Sequence, residues 1–159
     1  MEIAQYTGDL QDQIISLILN IQRNEFGLDI TEDDQPDLKN IQSFYQKNGG
    51  NFWVAIADGV VVGTVALLYI GDENFALRKM FVQKEYRGHQ NDIAGKLLKR
   101  AENWATAKCA KGIYLGTTER FHAAHRFYRK NDYIEVTQNM LPKGFPIMFV
   151  DILFFGKML

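Results

Sequence analysis

The stretch that most constrains the fold is Leu77 to Trp104, LRKMFVQKEYRGHQNDIAGKLLKRAENW. It reads as a strand, a tight polar turn and a long amphipathic helix. From Leu77 to Val82 apolar and β-favouring residues dominate, and Gln83-Lys84-Glu85 ends the strand. The turn Tyr86-Arg87-Gly88-His89-Gln90-Asn91-Asp92 puts Gly88 where the backbone must bend, and Asn91 or Asp92 can cap the helix after it. Ile93, Ala94, Leu97, Leu98, Ala101 and Trp104 then recur at helical spacing.

A helix start leaves backbone N–H groups unpaired and carries about half a positive charge. Arg87 and His89 lie next to it in sequence, and phosphate is the natural guest of such a terminus. On spacing alone, the default reading is an ordinary strand-to-helix turn with a solvated arginine.

The rest of the chain supplies one domain's worth of material. Its 159 residues are enough to bury about 70% of the unfolded surface, too few for a second independent core. With 47% hydrophobic residues, 23% charged and a formal charge of −1, nothing advertises nucleic acid. The single cysteine, Cys109, precludes an internal disulfide and suits a reducing compartment. It reads as a small buried hydrophobe at a helix end rather than a nucleophile. The opening MEIAQYTGDL has no basic stretch followed by an apolar core, so no secretion signal is expected. Val60 to Ile70, the most apolar run, is too short to span a bilayer. The expectation is a soluble cytoplasmic protein with no membrane partner.

In chain order, Met1 to Thr7 alternates as a strand, and a helix comes next with Ile14, Ile15, Leu17, Ile18 and Ile21 on one face. Glu25 to Asp37 is acidic and irregular. It reads as a solvated loop, or alternatively as the border of an acceptor site that attracts a cationic amine. Pro36 suits the first turn of a second helix with Leu38, Ile41, Phe44 and Tyr45 inward. Phe52 to Ala57 and Val60 to Ile70 form a hairpin through Asp58-Gly59, and Phe75 to Val82 completes a three-stranded meander. After the long helix, stopped by Lys111-Gly112, come a strand at Ile113 to Thr118 and a helix within Glu119 to Lys130. A strand at Tyr133 to Val136, a loop at Leu141 to Pro146 and a last strand at Ile147 to Phe155 finish the chain. The layout is α/β with a mostly antiparallel sheet.

Two motifs in this order resemble the Gcn5-related N-acetyltransferase (GNAT) family. Its motif A is a strand followed by Arg/Gln-x-x-Gly-x-Gly/Ala at the start of a helix that binds the acetyl-CoA pyrophosphate. Tyr86-Arg87-Gly88 and Ile93-Ala94-x-x-Leu97-Leu98 match its two ends. His89-Gln90-Asn91-Asp92 between them is about two residues longer than usual, with Asp92 standing nearest the central glycine. The second signature, Asn-x-x-Ala-x-x-x-Tyr and then Gly-Phe, is matched by Ala124 and Tyr128, with Phe121 at the Asn position and Asp132-Tyr133 for Gly-Phe.

The resemblance implies a single domain over residues 1–159 with the GNAT fold, a mixed, mostly antiparallel central sheet flanked by helices on both faces. It implies acetyl-CoA as cosubstrate and transfer of its acetyl group to a primary amine of a small molecule or protein. Met80, Phe81 and Val82 would bind the pantetheine arm, with a backbone N–H near Phe81 polarising the thioester carbonyl. Arg87, Gly88, His89, Gln90, Asn91, Asp92, Ile93 and Ala94 would hold the pyrophosphate, and Ala124 and Tyr128 would line the cofactor arm. Tyr128, a phenol of pKa about 10, would be the acid that protonates the leaving thiolate.

Glu73, Glu119, His122 and His125 are candidates for the base, none singled out by a motif. The histidines lack metal-ligand spacing, so no metal is expected. A non-catalytic CoA-binding module of the same fold is the rival reading, and a larger acyl-CoA donor, selected by Leu115 or Phe149, is a third. The acceptor pocket is expected from Glu25 to Asp37 and Asn139 to Pro146. The final strand either pairs across a homodimer or completes the sheet of a monomer.

Overall fold

A computed structural model describes residues 1–88 and 90–159; His89, expected in the phosphate loop, lies outside the described residues. Seven strands form one sheet: β1 (Glu2–Gln5), β2 (Asn51–Ala57), β3 (Val60–Tyr69), β4 (Asn74–Val82), β5 (Gly112–Thr117), β6 (Ile134–Val136) and β7 (Leu153–Met158). Their spatial order is β1-β2-β3-β4-β5-β7-β6. Among the described residues β4 and β5 run parallel and the other neighbours antiparallel. Among the described residues three α-helices cover the sheet: α1 (Gln11–Leu19), α2 (Ile93–Ala107) and α3 (His122–Lys130).

Alternation along the central strands explains why both faces are covered. Phe52 and Val54 of β2 point to one side, where Ile14 and Ile18 of α1 meet them. Trp53 and Ala55 point to the other, where Leu97, Leu98 and Ala101 of α2 pack. A strand buried on both faces reads as a continuous apolar run, as NFWVAIA does. Each fully buried large side chain, such as Leu97 or Ile14, contributes on the order of 1.5–3 kcal/mol.

Four expectations need correction. The helix expected from Pro36 is two short turns, Pro36–Lys39 and Gln42–Gln46, broken at Asn40. Leu38, Ile41 and Tyr45 still face inward. The break stems from polar competition: the Asn40 amide donates back to Pro36 O (3.0 Å), and the Tyr45 hydroxyl donates to the buried Asp37 (2.6 Å). Ile147 to Ile152 is not strand, because the Asp151 carboxylate accepts the Met148 N–H (2.9 Å) and folds that segment into a turn. α2 stops at Ala107, before Lys111-Gly112, and Cys109 in the next turn is exposed with φ +59°, not a buried hydrophobe. Of the two readings of the final strand, completion of the sheet agrees with the pairing, since β7 has β5 on one side and β6 on the other. Among the described residues no helix is long and apolar enough to cross a membrane.

Candidate active site

The site starts where two parallel strands part. β4 and β5 are in register at Asn74 and Gly112, Phe75 and Ile113, and Ala76 and Tyr114, and pairing then stops. β4 nevertheless runs on to Val82 and β5 to Thr117, so the peptide groups of both face a gap. On its other side β4 is held by β3 through a bulge, where the register shifts between Thr64 and Ala66. Lys79 sits in that bulge at φ +55°, and the buried Thr64 hydroxyl donates to its carbonyl at 2.6 Å.

Strand parity fixes which amides point into the gap. The Gln83 N–H donates to Val62 O on β3 (2.8 Å), and β3 and β4 stay in register through Gly63–Val82 and Thr64–Phe81. Peptide groups alternate along a strand, so the Phe81 amide also faces β3. Those of Met80 and Val82, on either side of Phe81, face the gap.

The gap opens into a cavity of ≈ 130 Å³ whose walls include Met80, Phe81, Ala124 and Tyr128. Tyr128, on the inner face of α3, is 6% exposed, and burial pushes its phenol well above the ordinary range. Its hydroxyl has no protein hydrogen-bond partner among the described residues. The irregular segments supply the rest of the wall, Leu28 and Ile30 on one side and Phe145 to Asp151 on the other. Phe149 belongs to that wall, whereas Leu115 is buried behind it.

The cavity floor is unexpectedly charged. Arg78 and Lys79, with side chains 12% and 8% exposed, lie 4.0 and 3.6 Å from Asp37 Oδ2. Lys79 also donates to Gln35 Oε1 (2.6 Å), and the Gln35 amide in turn donates to Gln22 Oε1 (2.9 Å). Burial, with Arg78 adding to it, brings the Lys79 ammonium down to about 8 against the opposing pull of Asp37. Asp151 is raised, mainly by burial. A residue larger than glycine at position 116 would collide with the Asp151 carboxylate, 2.5 Å from where a Cβ would stand.

A wider groove of ≈ 930 Å³ runs along the start of α2 and is lined by Val82, Arg87, Gly88, Asp92, Ile93 and Ala94. Lys96, Lys99, Arg126 and Lys130 border it, all exposed. Asp92 takes the N-cap position in the left-handed conformation (φ +45°), which Asp tolerates better than most residues. It forms no side-chain cap bond. Its carboxylate instead fills the space beside Gly95, which has no side chain to collide with it. Arg87 is already engaged: its guanidinium forms a two-pronged pair with Glu25, one arm at 2.7 Å, and its Nε donates to Val82 O (2.8 Å). Arg120 donates to the carbonyls of Phe26 and Gly27 (3.1 and 3.0 Å), and Phe26 packs edge-on to Phe121. The end of the α1 region is thereby pinned to both loops.

The structure thus divides most of the expected site residues between two spaces. Met80, Phe81, Ala124 and Tyr128 line the inner cavity, Val82, Arg87, Gly88, Asp92, Ile93 and Ala94 line the groove, and Gln90 and Asn91 are exposed and line neither; His89 lies outside the described residues. The four candidate bases line neither space. Glu73 is an exposed partner of Lys111 (3.6 Å), Glu119 and His122 are exposed, and the buried His125 is 2.9 Å from Thr118 O. Among the described residues no group of His, Cys, Asp or Glu side chains could hold a metal ion. Sequence reasoning missed Gln22, Gln35, Asp37, Arg78, Lys79 and Asp151 as one cluster. The available signal was Arg78-Lys79, two adjacent charges in an otherwise apolar central strand.

Comparison with known proteins agrees with this geometry. The family model of the acetyltransferase (GNAT) family matches residues 15–133. A GNAT-family acetyltransferase crystal structure from Staphylococcus aureus Mu50 superposes with a TM-score of 0.95 at 39% identity, covering 99% of this chain and 98% of that one. The PaiA N-acetyltransferase of Thermoplasma acidophilum, solved in complex with coenzyme A, shares the fold (TM-score 0.76, 18% identity, 99% of this chain and 98% of that one). The N-acetylaspartate synthetase of Xenopus tropicalis is 33% identical over 123 residues, 75% of this chain and 45% of that protein. The chain spans less than half the length of this curated relative. The sheet with its parted strands, the two motifs and these likenesses agree, and the chain belongs to the GNAT acetyltransferase family.

Proposed function

We propose that the chain is an acetyl-CoA-dependent N-acetyltransferase, with residues 1–159 as a single catalytic domain. The observation that carries this reading is the gap between β4 and β5, whose unpaired backbone opens on one side to Tyr128 and on the other to the start of α2. A pantetheine arm supplies the missing strand-like partner there, and the pyrophosphate meets the free amides of α2.

Transfer is direct. A neutral amine attacks the thioester carbonyl carbon, the Met80 or Val82 amide stabilises the charge on oxygen, the C–S bond breaks, and the thiolate takes the Tyr128 proton. The proton that the amine nitrogen loses passes, directly or through solvent, to the Tyr128 phenolate left by that step and restores the acid. A buried phenol holds its proton throughout the neutral range, as a leaving-group acid must.

The acceptor is a primary amine. Relatives named N-acetylaspartate synthetase make free amino acids the first class to try. The single cysteine supports a cytoplasmic location, and the protein acts as a monomer or homodimer. One feature favours a non-catalytic CoA-binding module instead: the Asp92 carboxylate occupies the mouth of the phosphate site.

The test is calorimetric titration with acetyl-CoA beside its desulfo and dephospho analogues, followed by an amine screen read by thiol release. Phosphate-dependent binding with thiol release supports the enzyme. Binding without release by any amine supports the module, and no binding at millimolar cofactor refutes both.

A further inference from the structure

Alternation should send adjacent strand residues to opposite faces, yet Arg78 and Lys79 both reach the same Asp37 oxygen beside the inner cavity. The bulge is the cause, since Lys79 takes a left-handed turn within β4. Two nearly buried cations are thereby concentrated at one end of a small space.

Their bonding is unequal. They share one carboxylate oxygen, Asp37 Oδ2, which also accepts the Tyr45 hydroxyl. Lys79 has Gln35 as a second partner. Arg78 donates only to the Met148 thioether at 3.7 Å among the described residues, while stacking near Phe44 and Tyr45 at 5.6 and 6.0 Å. Asp151, the other acid of the wall, is turned to its own Met148 amide and forms no ion pair with either cation among the described residues.

A guanidinium carries five N–H donors, and those of Arg78 without a protein partner are not sealed in the wall, which leaves them open to a guest in the cavity. A planar carboxylate fills two at once, which Asp37 at 4.0 Å does not do. Given the transferase reading, we propose that the cavity takes an amine that also carries a carboxylate, a free amino acid, with Arg78 and Lys79 holding the carboxylate. The ≈ 130 Å³ space, roofed by Phe145 to Asp151, fits a small free molecule better than a side chain of a folded protein.

The experiment compares free amino acids with their amides and decarboxylated amines as acceptors, by thiol release, in the wild type and Arg78→Gln. The acid is expected to exceed its amide at least tenfold in kcat/KM. Arg78→Gln should reduce that ratio at least tenfold, with the acetyl-CoA KM shifted by less than about twofold, and Arg78→Lys should recover part of it. Equal use of acids and amides overturns the proposal while leaving the transferase reading intact, as does a mutant that loses all acceptors alike or acetyl-CoA itself. Preferred acetylation of protein lysines overturns it in the same way.

Binding of N-acetylated amino acids to the CoA-saturated protein gives a second readout, independent of turnover. Tenfold weaker binding in Arg78→Gln is expected. If no amine releases thiol, the transferase reading fails, and this titration still decides whether the carboxylate site exists. No binding by the wild type overturns it. Should Arg78→Gln not fold, judged by circular dichroism, Arg78→Lys and Lys79→Gln carry the same comparisons.

Discussion

The inner cavity and the outer groove are joined at β4 but use charge in opposite ways. In the groove, Lys96, Lys99, Arg126 and Lys130 are exposed to water, and no single geometry is imposed on them. In the cavity, Arg78 and Lys79 are nearly buried, share one carboxylate oxygen and are positioned by a backbone bulge. Exposed charges give screened attraction for a polyanion, whereas buried ones act through specific bonds. Exposed charges along the groove therefore suit screened attraction of a polyanion, and the buried pair in the cavity suits directed bonds.

Mutation of one residue in each region should separate them outright. Tyr128→Phe should lower turnover by about a hundredfold or more while leaving the acetyl-CoA Kd within about twofold. Single-turnover kinetics beside calorimetry check it, and an unchanged rate would remove Tyr128 as the acid. Arg87→Glu should do the reverse, weakening acetyl-CoA binding by roughly tenfold through the lost guanidinium and the new repulsion with Glu25. If calorimetry shows no weakening, the phosphate contacts lie elsewhere along the groove.

A pH titration of stability probes the buried side of the contrast. Lys79 falls to about 8 in the fold from 10.5 when exposed. Between those values the unfolded chain keeps the proton and the native one does not, so this group makes stability rise with pH across that window. The buried tyrosines Tyr45 and Tyr128, raised by desolvation, act in the opposite direction and only above about pH 10, where their unfolded phenols ionise and the native ones keep their protons, so their contribution falls as pH rises. Thermal midpoints of the wild type and Lys79→Met between about pH 8 and 10 should show a rise that the mutant lacks. Equal slopes would mean that Lys79 is solvated in the native state.

A weaker, ionic effect should distinguish the regions too. Raising salt from about 0.05 to 0.5 M should weaken acetyl-CoA binding several-fold, since the Debye length shortens from roughly 14 to 4 Å. The acceptor KM should change less, because Arg78 and Lys79 are shielded from the screening ions. Equal salt dependence of the two constants would erase the distinction between groove and cavity.

Legibility in the sequence followed the same division. The meander of β2, β3 and β4, the helix α2 and the placement of Tyr128 on the inner face of α3 all arise from local periodicity and turn chemistry. Part of the groove was readable because Val82, Tyr86 to Gly88 and Asp92 to Ala94 lie close together in the chain. Asp92 was recognised as the stand-in for a glycine, and its left-handed backbone explains how an acid can occupy that place. The run Ile147 to Phe155 misled because its apolar residues look like strand, while one hydrogen bond from the Met148 amide to Asp151 makes it a turn.

The meander, the helix α2 and the apolar faces that cover the sheet follow from the sequence by itself, because each depends on residues close together in the chain. The inner cavity needed the folded chain. Gln22, Asp37, Lys79 and Asp151 come from four separate segments, and their meeting depends on a bulge in β4 and a turn before β7. Burial and long-range pairing set the charge and the free donors of that cluster, and neither is written in local spacing.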